Sequence, residues 1–435
     1  MARLALSLIL VLAWSMADAQ ELVLRHAVQG RALDSLSTLV LKFNDEQKGK
    51  GRVVLEDLAA VSDKHRLPHL ALLDPDDRGQ FFDTLPRFKP LYEVMKEGGI
   101  KFDGGQFFPQ MVDAVDDLTG KMQGLPVAMA VPVLFYNKDA FRKAGLDPEV
   151  PPKTWWEVQK VAGALFDAGY KCPLTTSRFA WMHVENVSSQ HGEPMLAKAG
   201  KSERVILNQL VNVKHIALLA SWQKSRYFHY FGPGREGDQK FLGGDCAMLT
   251  GESSLYADLL TRPTFATGIA AMPYYDDVRD AKPMDVLPDG ASLWILPGKK
   301  KDEYKLAARF VAFLLRPDVQ REWVQATGFL PMTRTSVEAL RQEGAPSAVL
   351  DAVEKRLSMP RQSLARTKTG FGRSRVREIL DEEIEFVWHN RKPAKEALDT
   401  AMARANGGGG AEAADGGMPG IRSAVAAPAS RKSGG

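Results

Sequence analysis

Residue types able to do chemistry are few and scattered in this sequence of 435 residues. His183 and His191, with Glu185 between them, come nearest to a ligand cluster among eight histidines, but their spacing matches no zinc pattern. Ordinary polar packing is the better account. Asp381, Glu382, Glu383 and Glu385 could pair carboxylates for general acid and base work. They fit better as the solvated face of a helix whose apolar side is Ile379, Leu380, Ile384, Val387 and Trp388. Trp181 offers a flat face that could stack on a sugar or polyol, or could simply be core. Gly290, ahead of Ala291-Ser292-Leu293-Trp294, permits a ligand to approach backbone N–H groups, or makes a turn. No G-x-G-x-x-G follows a strand, and G-x-x-x-x-G-K-[ST], H-E-x-x-H and G-x-S-x-G do not occur. Nucleotide, zinc-peptidase and serine-hydrolase chemistry therefore have no sequence support, and neither a cofactor nor a metal is expected.

The elements that must position these residues read as alternating strands and helices. Leu22 to His26, Val53 to Leu55 and His69 to Leu73 are short strands, the last running into the acidic turn Asp74-Pro75-Asp76-Asp77. Leu33, Leu36, Leu39, Val40 and Phe43 fall on one helical face within Leu33 to Gln47. Val131 to Tyr136 is an apolar run, and Thr154 before Trp155-Trp156-Glu157 suits a capped helix start. Further helices are expected over Val213 to Lys224, from about Ser253, and over Lys301 to Leu315, with strands at Cys246 to Thr250 and Leu293 to Leu296. This alternation predicts an α/β fold with mostly parallel sheets.

Composition agrees with a folded body: 45% hydrophobic, 25% charged and 9% aromatic residues. With 57 basic against 53 acidic side chains the formal charge is only +4, which gives no reason to expect nucleic-acid or membrane binding. Residues 1 to 19 combine Arg3, an apolar run from Leu4 to Trp14 and the small-residue pattern Ala17-Asp18-Ala19, the three parts of a secretory signal peptide. No cysteine follows that run, so no lipid anchor is expected there and the mature chain is expected free in the periplasm. Gly407 to Gly435 is rich in Gly and Ala and is expected to be a disordered tail. Cys172 and Cys246 are the two cysteines; one disulfide and two buried thiols are equally open readings.

Several segments together resemble the extracellular solute-binding proteins of ABC importers. They include Pro132-Val133-Leu134-Phe135-Tyr136-Asn137-Lys138-Asp139, Pro151-Pro152-Lys153-Thr154-Trp155, Glu185-Asn186, Gly244-Asp245-Cys246-Ala247-Met248, Gly290-Ala291-Ser292-Leu293-Trp294, Thr327-Gly328-Phe329-Leu330-Pro331 and Asp381-Glu382-Glu383. Similar segments run from about Leu22 to Asn406. The resemblance implies the two-lobe periplasmic-binding-protein fold, type II, with ligand held in a cleft between lobes joined by hinge strands. On that basis lobe 1 is expected to hold residues 20–128 and about 297–345, and lobe 2 residues 129–296 and about 346–406. Crossings are expected near Pro126 to Val131, near Leu293 to Pro297 and after Pro331. The expected activity is non-enzymatic: a monomeric receptor captures a small polar solute and delivers it to inner-membrane permease subunits, with no nucleic acid involved.

Among glycerol-phosphate-binding members of that family, the resemblance carries Gly290 and Arg377 over as ligand contacts. A family tyrosine becomes Phe329, which loses a hydroxyl. A family serine aligns with Glu252 if no gap is allowed, with Ser253 and Ser254 adjacent, and an acidic position matches Asp74 or Asp76. Trp181 sits where the family has an aromatic. A phosphate dianion wants N–H and O–H donors, so Glu252 facing the pocket would repel it, whereas Ser253 in the same place would help. The scaffold and transport role are therefore expected to persist more reliably than the ligand, which is glycerol 3-phosphate, a related polyol or glycerophosphodiester, or a changed, non-phosphate solute. A sensor or interaction module for a membrane partner is the alternative function.

Overall fold

The computed structural model describes residues 20–61, 66–75, 88–115, 121–199, 202–261, 263–278, 283–284, 286–342, 357 and 372–407. The signal-peptide segment, the tail beyond Gly407 and Asp76 lie outside these described residues.

Two five-stranded sheets organise the chain. The first has the order β2-β1-β3-β12-β4, from β1 (Glu21–His26), β2 (Arg52–Asp57), β3 (Leu70–Leu73), β4 (Leu125–Ala130) and β12 (Asp289–Ile295). The second has the order β11-β5-β10-β6-β9, from β5 (Pro132–Asn137), β6 (Cys172–Thr176), β9 (Phe228–His229), β10 (Cys246–Glu252) and β11 (Thr267–Ala271). A small antiparallel hairpin, β7 (Leu196–Ala199) with β8 (Ser202–Val205), stands apart.

The expectation of mostly parallel sheets needs correction. In the first sheet β1 pairs β2 and β3 in parallel, but β12 is antiparallel to both β3 and β4. In the second, β10–β6 and β6–β9 are parallel while β5 is antiparallel to β10 and β11. A strand that returns from the other sheet enters the layer from the opposite end, so it must run against its neighbours. The expected second-lobe membership of residues up to 296 is corrected too. All of Asp289–Ile295 hydrogen-bonds within the first sheet, which moves the return crossing upstream, between Ala271 and Asp289. The outward crossing is the single residue Val131, between β4 and β5.

Each sheet has its own apolar core. Around the first, the helix Gly30–Glu46 buries Leu36, Leu39, Val40 and Phe43, and Phe43 meets Phe310 and Phe313 edge-on at 5.0 and 5.4 Å. Phe310 and Phe313 come from Lys301–Leu314, whose apolar stripe follows the expected spacing. Around the second, Trp155, Leu174, Phe179 and Trp222 pack with Ile379, Leu380 and Ile384 of the helix Gly372–Trp388. The helix Trp155–Asp167 starts as its sequence suggests: Thr154 accepts from the Glu157 N–H and Glu157 accepts from the Thr154 N–H. A third cluster lies at the crossing, where Met129, Val131 and Val133 pack with Leu249, Leu255 and Leu330.

Cys172 and Cys246 are joined in a disulfide, which closes the two readings left open above. They are direct partners in the β6–β10 register, so sheet formation itself brings together two residues 74 apart in sequence.

Candidate functional site

The strands of the two sheets end close to the crossing, and there the charged side chains converge. Arg377, on the helix Gly372–Trp388, is buried and grips Glu185 with two nitrogens, Nε to Oε1 at 2.5 Å and Nη2 to Oε2 at 2.8 Å. Its Nη1 donates to Asp289 Oδ2 at 2.6 Å. The same oxygen accepts from Arg178 Nη2 at 2.5 Å, so one carboxylate of the first sheet ties together two arginines packed with the second. Arg178 Nη1 lies 3.4 Å from Glu252 Oε2, and Glu252 Oε1 accepts from Arg235 Nη1 and from Ser254 Oγ, each at 2.5 Å. Glu185, Arg377, Asp289, Arg178, Glu252 and Arg235 thus form a continuous chain of alternating charge.

Local structure explains how these groups are presented. Ala180–Glu185 is a π-helical turn, an irregularity that re-aims side chains and is frequent at functional sites. Within it His183, fully buried, meets His215 through Nδ1 to Nε2 at 2.8 Å, and His215 Nδ1 meets the Tyr275 hydroxyl at 2.9 Å. The other nitrogen of His183 contacts Thr176 Oγ1 at 2.9 Å and Thr250 Oγ1 at 3.0 Å. Burial holds His183 at a pKa of about 3 and His215 well below its ordinary value, so both are neutral. This satisfied polar chain anchors the turn by packing, and the three-residue combination of His183, Glu185 and His191 is no metal set; among the described residues no group of three potential ligands converges.

Asn186 fixes the opposite flank. Its Oδ1 accepts from the Leu287 N–H at 2.8 Å and its Nδ2 donates to the Trp181 carbonyl at 3.0 Å, which sets the segment leading into Asp289. Burial alone would raise the Glu252 carboxyl. The guanidiniums of Arg235 and Arg178 and the hydrogen bonds from Arg235 and Ser254 outweigh it and hold the group below the usual carboxylate range. Asp238, hydrogen-bonded by Ser177, is pushed up to about 6 by burial, with Glu252 adding to the shift.

The sequence-derived site residues fall into distinct places. Glu252, Ser254 and Arg377 belong to the charged chain, and Gly290 follows Asp289 directly. Trp181 borders it but is only 1% exposed; its Nε1 donates to the Leu287 carbonyl at 2.9 Å and the Arg178 guanidinium lies over its ring, 4.7 Å from the centroid. Gly290 has φ +141°, and a Cβ there would lie 2.0 Å from the Ala128 carbonyl oxygen, so β4 already demands glycine. Ser253 ties the crossing: its N–H donates to the Val131 carbonyl at 2.9 Å and its Oγ accepts from the Val131 N–H at 3.2 Å. Phe329 is half-buried and stacks on Trp323 at 5.9 Å. Asp74, half-buried at the end of β3, is close enough to Arg235 to favour its charged form. Sequence reasoning missed Arg178 and Arg235 altogether. Asp289 was visible beside Gly290, and Glu185 beside Asn186, but nothing local marked either as an ion-pair partner.

Comparison with known proteins gives this geometry a context. Residues 59–348 match the family described as bacterial extracellular solute-binding protein. The chain is 39% identical over 327 residues to the sn-glycerol-3-phosphate-binding periplasmic protein UgpB of Escherichia coli K12, covering 73% of this chain and 74% of that protein. The UgpB of Salmonella typhimurium LT2 gives the same values. Among solved structures, GacH of Streptomyces glaucescens, studied unliganded and with acarbose, superposes with a TM-score of 0.72 at 15% identity over 89% of this chain and 99% of that one. UgpB of Mycobacterium tuberculosis in complex with glycerophosphocholine superposes with a TM-score of 0.69 at 17% identity over 88% and 97%. These structures share the two-lobe binding-protein fold. The chain belongs to the bacterial extracellular solute-binding proteins, the binding receptors of ABC importers.

Proposed function

We propose that this receptor works in the periplasm, capturing a small polar solute of the glycerol-phosphate class between its lobes and presenting it to a membrane permease. The solute is glycerol 3-phosphate, a related polyol or a glycerophosphodiester. The observation that carries the reading is the convergence of Arg377, Arg178, Glu252 and Asp289, from elements of both sheets, beside a one-residue crossing. It occurs in a chain whose 39% identical relatives are named for glycerol 3-phosphate. A ligand that touches both lobes only when they approach has a differential affinity for the closed state and shifts that population. Micromolar binding needs about 8 kcal/mol, within reach of a handful of cleft hydrogen bonds.

Calorimetric titration with glycerol 3-phosphate, glycerol, glycerophosphocholine and maltose, paired with small-angle scattering, tests the reading. Binding of a glycerol compound with compaction is the expected result. A compacting response to maltose alone would move the receptor to sugars, and silence toward every solute would favour an interaction module for a membrane partner.

A further inference from the structure

We propose that the cleft of this receptor is built against phosphate dianions, with Glu252 and Asp289 as specificity-determining residues that favour a solute whose gripped end is a neutral polyol or bears an ammonium group. The inference rests on the glycerol-class reading above and names the charge type that the same site accepts.

The groups that an anion would seek are already engaged by the protein itself. Arg377 spends Nε and Nη2 on Glu185 and Nη1 on Asp289, in a bidentate grip plus one bond. Arg178 is shared between Asp289 and Glu252, and its guanidinium covers the Trp181 ring 4.7 Å from the centroid. Among the described residues the guanidiniums of Arg178, Arg235 and Arg377 are matched by the carboxyls of Glu185, Glu252 and Asp289, and Asp238 and Asp74 are also near enough to act on Arg235. A phosphate dianion would have to take Arg377 from Glu185, leaving a buried carboxylate uncompensated, or sit beside Glu252 and Asp289 and be repelled. Removing one partner of a buried ion pair is strongly unfavourable, so the discrimination is expected to reach at least about a hundredfold in affinity. Arg235, whose side chain is 57% exposed, leaves the rim able to meet one negative charge. A zwitterionic diester with its ammonium toward Glu252 and Asp289 satisfies both ends.

The test is calorimetric titration of the full chain at pH 7.5 with glycerol 3-phosphate, glycerol and glycerophosphocholine, repeated with Glu252→Gln and Asp289→Asn. The wild-type protein is expected to bind glycerophosphocholine or glycerol at least about a hundredfold more tightly than glycerol 3-phosphate. Each substitution should narrow that ratio by about tenfold or more, in favour of the dianion, since it removes one repelling charge. Glycerol 3-phosphate as the tightest wild-type ligand would overturn the inference and leave the glycerol-class receptor standing. An unchanged ratio in both folded variants would also overturn it. Failure of all three compounds would remove the glycerol-class reading and overturn the inference with it. The wild-type ratio decides the matter even where a variant does not fold.

Discussion

The two lobes solve the problem of a buried interior differently. The first packs Phe43 edge-on against Phe310 and Phe313 of the Lys301–Leu314 helix, and its buried charge on β1, Arg25, is held locally by Glu56 and the Arg66 carbonyl. The second carries a disulfide, the polar chain from Thr176 and Thr250 through His183 and His215 to Tyr275, and the ion chain that reaches across to Asp289. Apolar packing is non-directional and tolerates small shifts of an element. Hydrogen bonds and ion pairs are not so forgiving, so a polar interior holds its elements in one register. The difference teaches that the second lobe, over its own apolar core, carries the longer polar chains, and that those chains border the crossing.

Breaking the ion chain at its most buried member is the severest test of that contrast. Arg377→Ala takes from Glu185 the guanidinium that grips it with two nitrogens and leaves Asp289 with Arg178, and a loss of roughly 3 to 5 kcal/mol in unfolding free energy is expected. Urea unfolding measures it, and a loss under about 1 kcal/mol would show that the pair is replaced by water without strain. Trp181→Ala belongs in the same range, about 3 to 5 kcal/mol, because that ring is core as well as a neighbour of the site. A Trp181 variant that loses solute affinity must therefore be checked for folding before the loss is assigned to stacking.

The disulfide comes next. Cys172 and Cys246 close a loop of 74 residues, and the double Cys→Ser variant is expected to lose roughly 2 to 4 kcal/mol. If the second lobe owes its rigidity to such cross-links, amide exchange should accelerate in β6 and β10 and remain unchanged in β1 and β3. Equal acceleration in both sheets would erase the distinction between the lobes.

How much of this was legible beforehand depends on how local the signal is. Leu70–Leu73, the Thr154–Glu157 capping box and the stripe of Lys301–Leu314 each carry their instruction within a few residues, and each forms where the sequence places it. The second crossing was misplaced because membership of β12 is decided by β3 and β4, over 150 residues upstream, and not by anything within Asp289–Ile295. The cysteine pairing had the same obstacle, since only the β6–β10 register brings the two together. Of the site, Glu252 and Arg377 were found through resemblance. Arg178 and Arg235 are single charges on irregular segments, with no periodicity or motif to set them apart from other surface arginines.

A pH titration sharpens the picture of the polar lobe. Asp238 is raised to about 6 in the folded chain, above its ordinary value of 3.8, so the folded state holds the proton more tightly than the unfolded state does between those values. Its contribution to stability is favourable at low pH and is lost as pH rises from about 4 to about 6, by up to about 3 kcal/mol. Glu252, held low, has the opposite sign: its contribution is present above the unfolded carboxylate value and is lost as pH falls below about 4. Unfolding free energies of wild type and Asp238→Asn should therefore diverge between pH 4 and pH 6, with the variant gaining as pH rises. Parallel curves would mean that Ser177 and the nearby arginines balance the burial of Asp238 completely.

The smallest effect expected lies where the two lobes meet on the surface. Arg31, on the Gly30–Glu46 helix, donates to Asp258 Oδ1 at 2.8 Å and to Thr261 Oγ1 at 2.6 Å, both on the helix Tyr256–Thr261 that follows β10. The backbone also approaches closely here, because a Cβ on Gly328 would lie 2.4 Å from the Ser254 carbonyl oxygen. The side chains of Arg31 and Asp258 are 31% and 47% exposed, so the pair is worth only about 0.2 to 1 kcal/mol. Arg31→Ala should leave urea unfolding nearly unchanged. A contact between lobes acts on their relative placement, however, and even about 0.5 kcal/mol changes a conformational ratio roughly twofold. Scattering of the unliganded variant is therefore expected to show a shift in radius of gyration at 50 mM salt that fades at 500 mM, as screening removes the pair from the wild type as well. Identical curves for wild type and variant at both salts would show that Gly328 against Ser254, and not the ion pair, sets the spacing of the lobes.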